Sequence, residues 1–269
     1  MMKTLLRSID MAFSMFSVIP MPIVEWKQEN MKYMLCSLPL VGAVIGGCLY
    51  LWYLISGVLG FSQLLTAAGY TLIPVAISGG IHLDGFCDTV DAVSSHASPE
   101  RKREILKDSH AGAFAIIWLC FYMIAYFALA GEAAGIVAGG TSEKAGSMGG
   151  NVILLVLIPM LSRAAGAFAG TAFPSSGKEG LLKSFRDGAS KKAAVILIIW
   201  CVLLLVAMAF ISPLCGALSA AAVVICAFSV RRMALREFGG MSGDIAGFLI
   251  SVTELALLAA LVLSEKLIA

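Results

Sequence analysis

Seven long apolar stretches constrain this chain more than any other feature. A helix that crosses a bilayer needs about 20 mostly apolar residues. Stretches of that kind run over roughly 35–59, 64–80, 111–131, 151–172, 193–212, 214–230 and 245–264. Lipid offers no hydrogen-bonding partner to a backbone, so such stretches must be helices that satisfy their own N–H and C=O groups. The expected fold is therefore all-α, a polytopic membrane bundle forming one integral-membrane domain over residues 1–269. The second stretch is short and holds Pro74, and only Ser212-Pro213 divides the fifth from the sixth. Composition agrees: 59% of residues are hydrophobic and 13% charged, against about 25% charged in soluble domains. The bilayer is the implied surrounding, and no basic stripe points to nucleic acid as a partner.

The basic residues orient the bundle. Lys3, Arg7, Lys27 and Lys32 precede the first span, and Arg101, Lys102, Arg103 and Lys107 follow the second. Lys178, Lys183, Arg186, Lys191 and Lys192 follow the fourth, and Arg231, Arg232 and Arg236 follow the sixth. In a seven-span topology all of these lie on one side, which the positive-inside rule makes cytoplasmic. Lys144 falls on the opposite side and Lys266 in the C-terminal tail. Before the first span, Leu5, Leu6, Ile9, Phe13 and Phe16 recur at helical spacing, while Asp10 breaks what would be a signal-peptide core. That pattern predicts an amphipathic helix on the membrane surface. The glycine-rich segment 139–150 reads as a flexible connector.

The chemistry concentrates in His82-Leu83-Asp84-Gly85-Phe86-Cys87-Asp88-Thr89-Val90-Asp91. Asp84, Asp88 and Asp91 share one helical face. Adjacent like charges on a helix repel by roughly 0.2–0.5 kcal/mol per pair, and a divalent cation removes that cost. A solvated acidic face is the plainer explanation. Against it, the trio is set among Ile81, Leu83, Phe86 and Val90 beside a membrane span, where acids are expensive and functional by default. Magnesium takes oxygen ligands, commonly a few carboxylates together with substrate phosphates. Gly85 leaves room for a close approach. Cys87 is too soft a donor for magnesium and reads as packing; the seven cysteines form no CxxC pair and read as reduced thiols. His82 could be a ligand, a cap or a proton acceptor, with direct ligation disfavoured for the same reason.

Other polar residues keep two readings. Asp108 either caps the third span or adds a metal ligand. Arg103 and Lys107 either hold phosphate oxygens or anchor the loop at the membrane. Arg163 and Glu254, each inside a span, either pair with each other or line a polar cavity. Asp244, after Gly239-Gly240, either caps the last span or contacts substrate or metal; it echoes Asp84 after Gly79-Gly80.

Gly79-Gly80-Ile81-His82-Leu83-Asp84-Gly85-Phe86-Cys87-Asp88-Thr89-Val90-Asp91-Ala92 resembles the signature of the cobalamin synthase family, the adenosylcobinamide-GDP ribazoletransferases. Phe16-Ser17-Val18-Ile19-Pro20, Pro39-Leu40-Val41-Gly42, Lys107-Asp108-Ser109-His110-Ala111-Gly112 and Gly243-Asp244 with Glu254 match in order, so the resemblance covers nearly the whole chain. It implies a magnesium-dependent phosphotransferase of the bacterial inner membrane that joins α-ribazole, or its 5′-phosphate, to adenosylcobinamide-GDP and releases GMP. It also implies catalytic roles for His82, Asp84, Asp88, Asp91 and Asp108, with the four aspartates as metal ligands. Arg103, Lys107, Arg163, Asp244 and Glu254 become candidate substrate contacts. The nearest alternative is a CDP-alcohol phosphotransferase, whose acidic motif has a different order and an Ala-Arg pair missing here. A transporter is a further alternative, with Arg163 and Glu254 on its pathway. The oligomeric state, a homo-oligomer included, stays open.

Overall fold

In the computed structural model, residues 2–108, 110–139, 150–176 and 181–268 are described, and they form helices with no strands among them. The connector expected at 139–150 lies almost wholly outside the described residues. The helices are α1 (Met2–Phe16), α2 (Gln28–Met31), α3 (Leu38–Leu59), α4 (Gln63–Ser78), α5 (Ile81–Ser94), α6 (Pro99–Ile105), α7 (Ala113–Gly139), α8 (Gly150–Ala172), α9 (Leu181–Gly188), α10 (Ala193–Ile211), α11 (Pro213–Met233) and α12 (Gly243–Ile268). Six of them, α3, α7, α8, α10, α11 and α12, are each long and apolar enough to cross a membrane. The pair α4 and α5 would make a seventh, but it is bent by 91° at Gly79-Gly80. At 16 residues, α4 is about 24 Å long. It brings the chain back to the side from which α3 started, and α5 then turns away from its axis.

Six of the seven expected spans coincide in order with helices long enough to cross; the second, expected at 64–80, falls on α4, which meets that length only together with the bent α5. The third runs to Gly139 instead of 131, because Glu132 does not end it: its carboxylate pairs with Lys266 of α12 at 2.7 Å. Burial separates an inner set from an outer one. The most apolar stretch of α8 is 72% buried and that of α12 67%, whereas α10 is 17% buried. The outer faces of α7, α10 and α11 expose Ile117, Phe121, Val202, Phe210 and Phe228, an apolar surface suited to lipid. Inside, α3 lies directly on α8: a Cβ on Gly42 would sit 2.4 Å from the Pro159 carbonyl oxygen. Small residues at that spot let the two backbones touch.

The N-terminal helix forms as its periodicity predicts. Leu5 and Leu6 stay exposed on its apolar side. Its docking residues are others: Ser8, Met11 and Ala12 are buried, and the Ser8 hydroxyl donates to the Asn30 carbonyl at 2.7 Å. The cysteines are free thiols. Cys36 and Cys215 are buried, while Cys120 is exposed on the outer face of α7.

Candidate active site

Two glycine pairs shape the site. Gly79 (φ 64°) and Gly80 (φ 79°) adopt the left-handed conformation that L side chains avoid, and they turn α5 off the end of α4. Gly239 (φ 77°) and Gly240 (φ 151°) do the same before α12. Met241 beyond them is held by backbone bonds to Pro174 (2.7 Å) and Ser176 (3.0 Å). The sequence echo is thus a shared geometry, a left-handed glycine pair that aims a helix start and its aspartate.

α5 and α12 meet backbone to backbone. A Cβ on Gly85 would lie 2.6 Å from the Asp244 carbonyl oxygen, and one on Gly247 would lie 3.3 Å from that of His82. The Ser251 hydroxyl donates to the same His82 carbonyl at 3.2 Å. This contact brings Asp84 and Asp244 to one cavity of about 250 Å³. Asp244 is not the cap of α12: the Ser242 hydroxyl accepts from the Ile245 N–H at 3.2 Å and fills that place, and it donates to the Asp244 carboxylate at 3.4 Å.

Asp88 sits one turn after Asp84, part-buried, on the helix turned out of the spans. Burial, and then the charges of Asp84, Asp244 and Asp91, push its carboxyl up to about 6. Burial, and then the charges of Asp88, Asp84 and Asp91, hold the Cys87 thiol up at about 11, so it stays neutral and packs. Asp91 points to the start of α7. Its Oδ1 accepts from the Ala115 N–H at 3.4 Å, and a Cβ on Gly112 would lie 2.1 Å from that oxygen. A carboxylate there also meets the positive end of the α7 dipole.

Asp108 was a candidate for that capping role, and the structure gives the role to Asp91. The Asp108 carboxylate is exposed and accepts from both the backbone N–H and Nδ1 of His110, at 3.0 and 2.7 Å. Those bonds hold it below the usual carboxylate range. The charges that act on it are those of His110 and Arg101. Lys107 is exposed. Arg103 donates to the Phe238 carbonyl at 3.0 Å and to Glu100 at 3.1 Å, which fixes α6 against the π-turn Ala234–Phe238. Sequence reasoning passed over the partner of that clip. Lys102 is buried and pairs with Glu237 at 2.5 Å, 135 residues away; a lysine among four basic residues carried no signal of burial.

Arg163 and Glu254 pair with each other, both nearly fully buried, between α8 and α12. Tyr126 and Ser162 add hydroxyl bonds to the same carboxylate, each at 3.2 Å. The pair borders a polar recess of about 30 Å³ behind His82, and neither residue lines the larger cavity. His82 borders both spaces. Its ring is stacked 6.1 Å from that of Phe16, and its Nε2 has no partner among the described residues.

The donors fit a hard cation in kind, since Asp84, Asp88, Asp91 and Asp244 offer only oxygen. Among the described residues no three of His, Cys, Asp and Glu converge into a complete cage. Magnesium does not need one: it usually keeps several waters and takes one or two carboxylates with phosphate oxygens.

A family profile for cobalamin-5-phosphate synthase matches residues 8–262. The chain belongs to that family. A Lachnoclostridium phytofermentans protein named adenosylcobinamide-GDP ribazoletransferase is 38% identical over 264 residues, covering 98% of this chain and 96% of its own. Relatives of the same name from Clostridium botulinum strain Alaska E43 and Clostridium perfringens strain 13 are 34% and 30% identical. Each covers 94% of this chain and 96% of its own length. No solved structure matches. The membership spans every element of the site, from α1 to α12.

Proposed function

We propose that this multi-pass membrane protein is an adenosylcobinamide-GDP ribazoletransferase. It joins α-ribazole, or its 5′-phosphate, to adenosylcobinamide-GDP, and gives adenosylcobalamin, or its phosphate, with GMP. The observation that carries the reading within the fold is the Gly85–Asp244 contact, which sets carboxylates from two helices at one cavity. Family membership supplies the substrates that such a site would take.

In this reading a ribose hydroxyl oxygen of the acceptor attacks the phosphorus that carries the cobinamide. The new P–O bond forms as the phosphoanhydride bond breaks, GMP leaves, and the hydroxyl proton passes to an aspartate or to His82. Asp84, Asp88 and Asp91, with Asp244 opposite, would hold magnesium. When bound, the ion supplies positive charge that offsets the diphosphate. Lys107 is free to meet phosphate oxygens, and Arg103 keeps part of its guanidinium for the same task. Asp108 would contribute from the loop before α7 if it left His110. The Arg163–Glu254 pair would hold α8 and α12 in register beneath His82. The basic loops support a reading in which this end of the bundle faces the cytoplasm from the bacterial inner membrane, where water-soluble nucleotides would arrive.

Reconstituted protein should release GMP from adenosylcobinamide-GDP only when α-ribazole is present, and a chelator should stop it. Release that ignores the acceptor, or CMP release from a CDP-alcohol donor, would reject the assignment.

A further inference from the structure

Two cavities flank α5, and they lie on opposite sides of it. The larger, about 450 Å³, is lined by Phe86, Thr89, Val90 and Val93, the face turned away from Asp84, Asp88 and Asp91. The smaller, about 250 Å³, has Asp84 and Asp244 in its wall, so it is the one that opens at the proposed reacting centre. Its floor is Gly166, Ala167 and Gly170 of α8, and aromatic walls come from Phe16 and Phe185. Phe185 is itself backed by Trp26, ring centroids 6.0 Å apart.

Resting on the reaction proposed above, we infer that this cavity takes the flat base of the acceptor nucleoside and not any part of the donor. Three ring systems compete for it. The corrin macrocycle is too large for about 250 Å³, a volume just under the usual range for whole small-molecule sites of roughly 300–1,000 Å³. Guanine would fit by size, and the two carboxylates could meet its N–H groups. Its O6 and N7 would still need donors. The described lining holds no hydroxyl, amide, lysine or arginine side chain, and His82 is the sole side-chain donor. An unpaired buried acceptor costs about 1–3 kcal/mol. The base of ribazole, a dimethylated benzimidazole, is a fused bicycle with one exposed ring nitrogen and an otherwise apolar outline. Aromatic walls over a glycine floor suit that shape. With the base seated, the attached ribose faces the open end at Asp84 and Asp244, where its hydroxyl must react.

The test uses the full chain in nanodiscs, with 5,6-dimethylbenzimidazole and α-ribazole as probes. The free base should inhibit competitively against α-ribazole and not against adenosylcobinamide-GDP. Phe185→Ala should raise the KM for α-ribazole about tenfold while leaving the donor KM within about twofold. Equilibrium binding of the free base should weaken by the same factor, and Met15→Ala, at the cavity edge, repeats the measurement if Phe185→Ala does not fold. Inhibition competitive with the donor, equal rises in both KM values, or base binding that neither variant alters would overturn the inference. Failure of the reaction itself shows differently: wild-type protein would release no GMP while still binding the base in a Phe185-dependent way.

Discussion

Asp88 illustrates the tension at the residue scale. In the folded chain its carboxyl is raised to about 6 from an ordinary 3.8, first by burial and then by the neighbouring aspartates. The folded state therefore binds this proton more tightly than the unfolded state does. Its contribution to stability falls as pH rises through the window from about 4 to about 6, and is flat above it. Metal-free protein should melt at a higher temperature at pH 5 than at pH 7, and Asp88→Asn should remove that part of the slope. Magnesium should reverse it by favouring the charged form. Thermal melts of both proteins with and without the ion check this; an unchanged slope in Asp88→Asn would refute it. The same variant should be at least as stable as wild type at pH 7, yet lose 100-fold or more in turnover. A residue selected for stability would show the reverse.

Elements carry two further expectations. Gly80 has no neighbour within 4 Å of the place where a Cβ would stand, so Gly80→Ala tests its left-handed backbone alone. It should cost about 1–2 kcal/mol, read as a shift in denaturant midpoint, and Gly80→Asn should recover part of the loss. Equal stability of the alanine variant would mean that the α4–α5 turn does not depend on this conformation. The Arg163–Glu254 pair joins α8 to α12 where little solvent reaches. Removing one charge, as in Glu254→Gln, should cost about 3–5 kcal/mol because Arg163 is left buried and unpaired. Arg163→Met in that background should restore most of it. If the double variant is no better than the single one, the arginine has another partner or role. The sequence left both readings of this pair open, since hydropathy shows that a charge lies in a span but not what stands opposite. Helix starts and stops were more legible. Ser62 and Ser212 cap α4 and α11, and glycine or proline marks most breaks.

For the whole molecule, the periodic apolar stretches determine the helix order, and the basic loops determine its expected orientation. Alkaline phosphatase fused after Ala269 should be active, and fused within the segment after α8 it should be inactive. The opposite pattern would invert the topology and put the site on the wrong side for nucleotides. The carboxylate cluster was visible because three aspartates at helical spacing are rare in so apolar a chain. What the sequence could not display were approaches between distant segments. Gly85 against Asp244, Gly112 against Asp91, and Lys102 against Glu237 each join residues from separate elements. Asp91 and Asp108 show the consequence. Local spacing offered Asp108 as a cap of α7 or a metal ligand, while the fold delivered Asp91 to the start of α7 from another helix.

The most direct test is a single-turnover assay in proteoliposomes with adenosylcobinamide-GDP, α-ribazole and magnesium. Wild-type protein should form one GMP for each corrinoid joined to ribazole, and Asp88→Asn, folded to the same melting criterion, should form about 1% as much. Full turnover by Asp88→Asn, or GMP formed without a ribazole-linked corrinoid, would contradict the account.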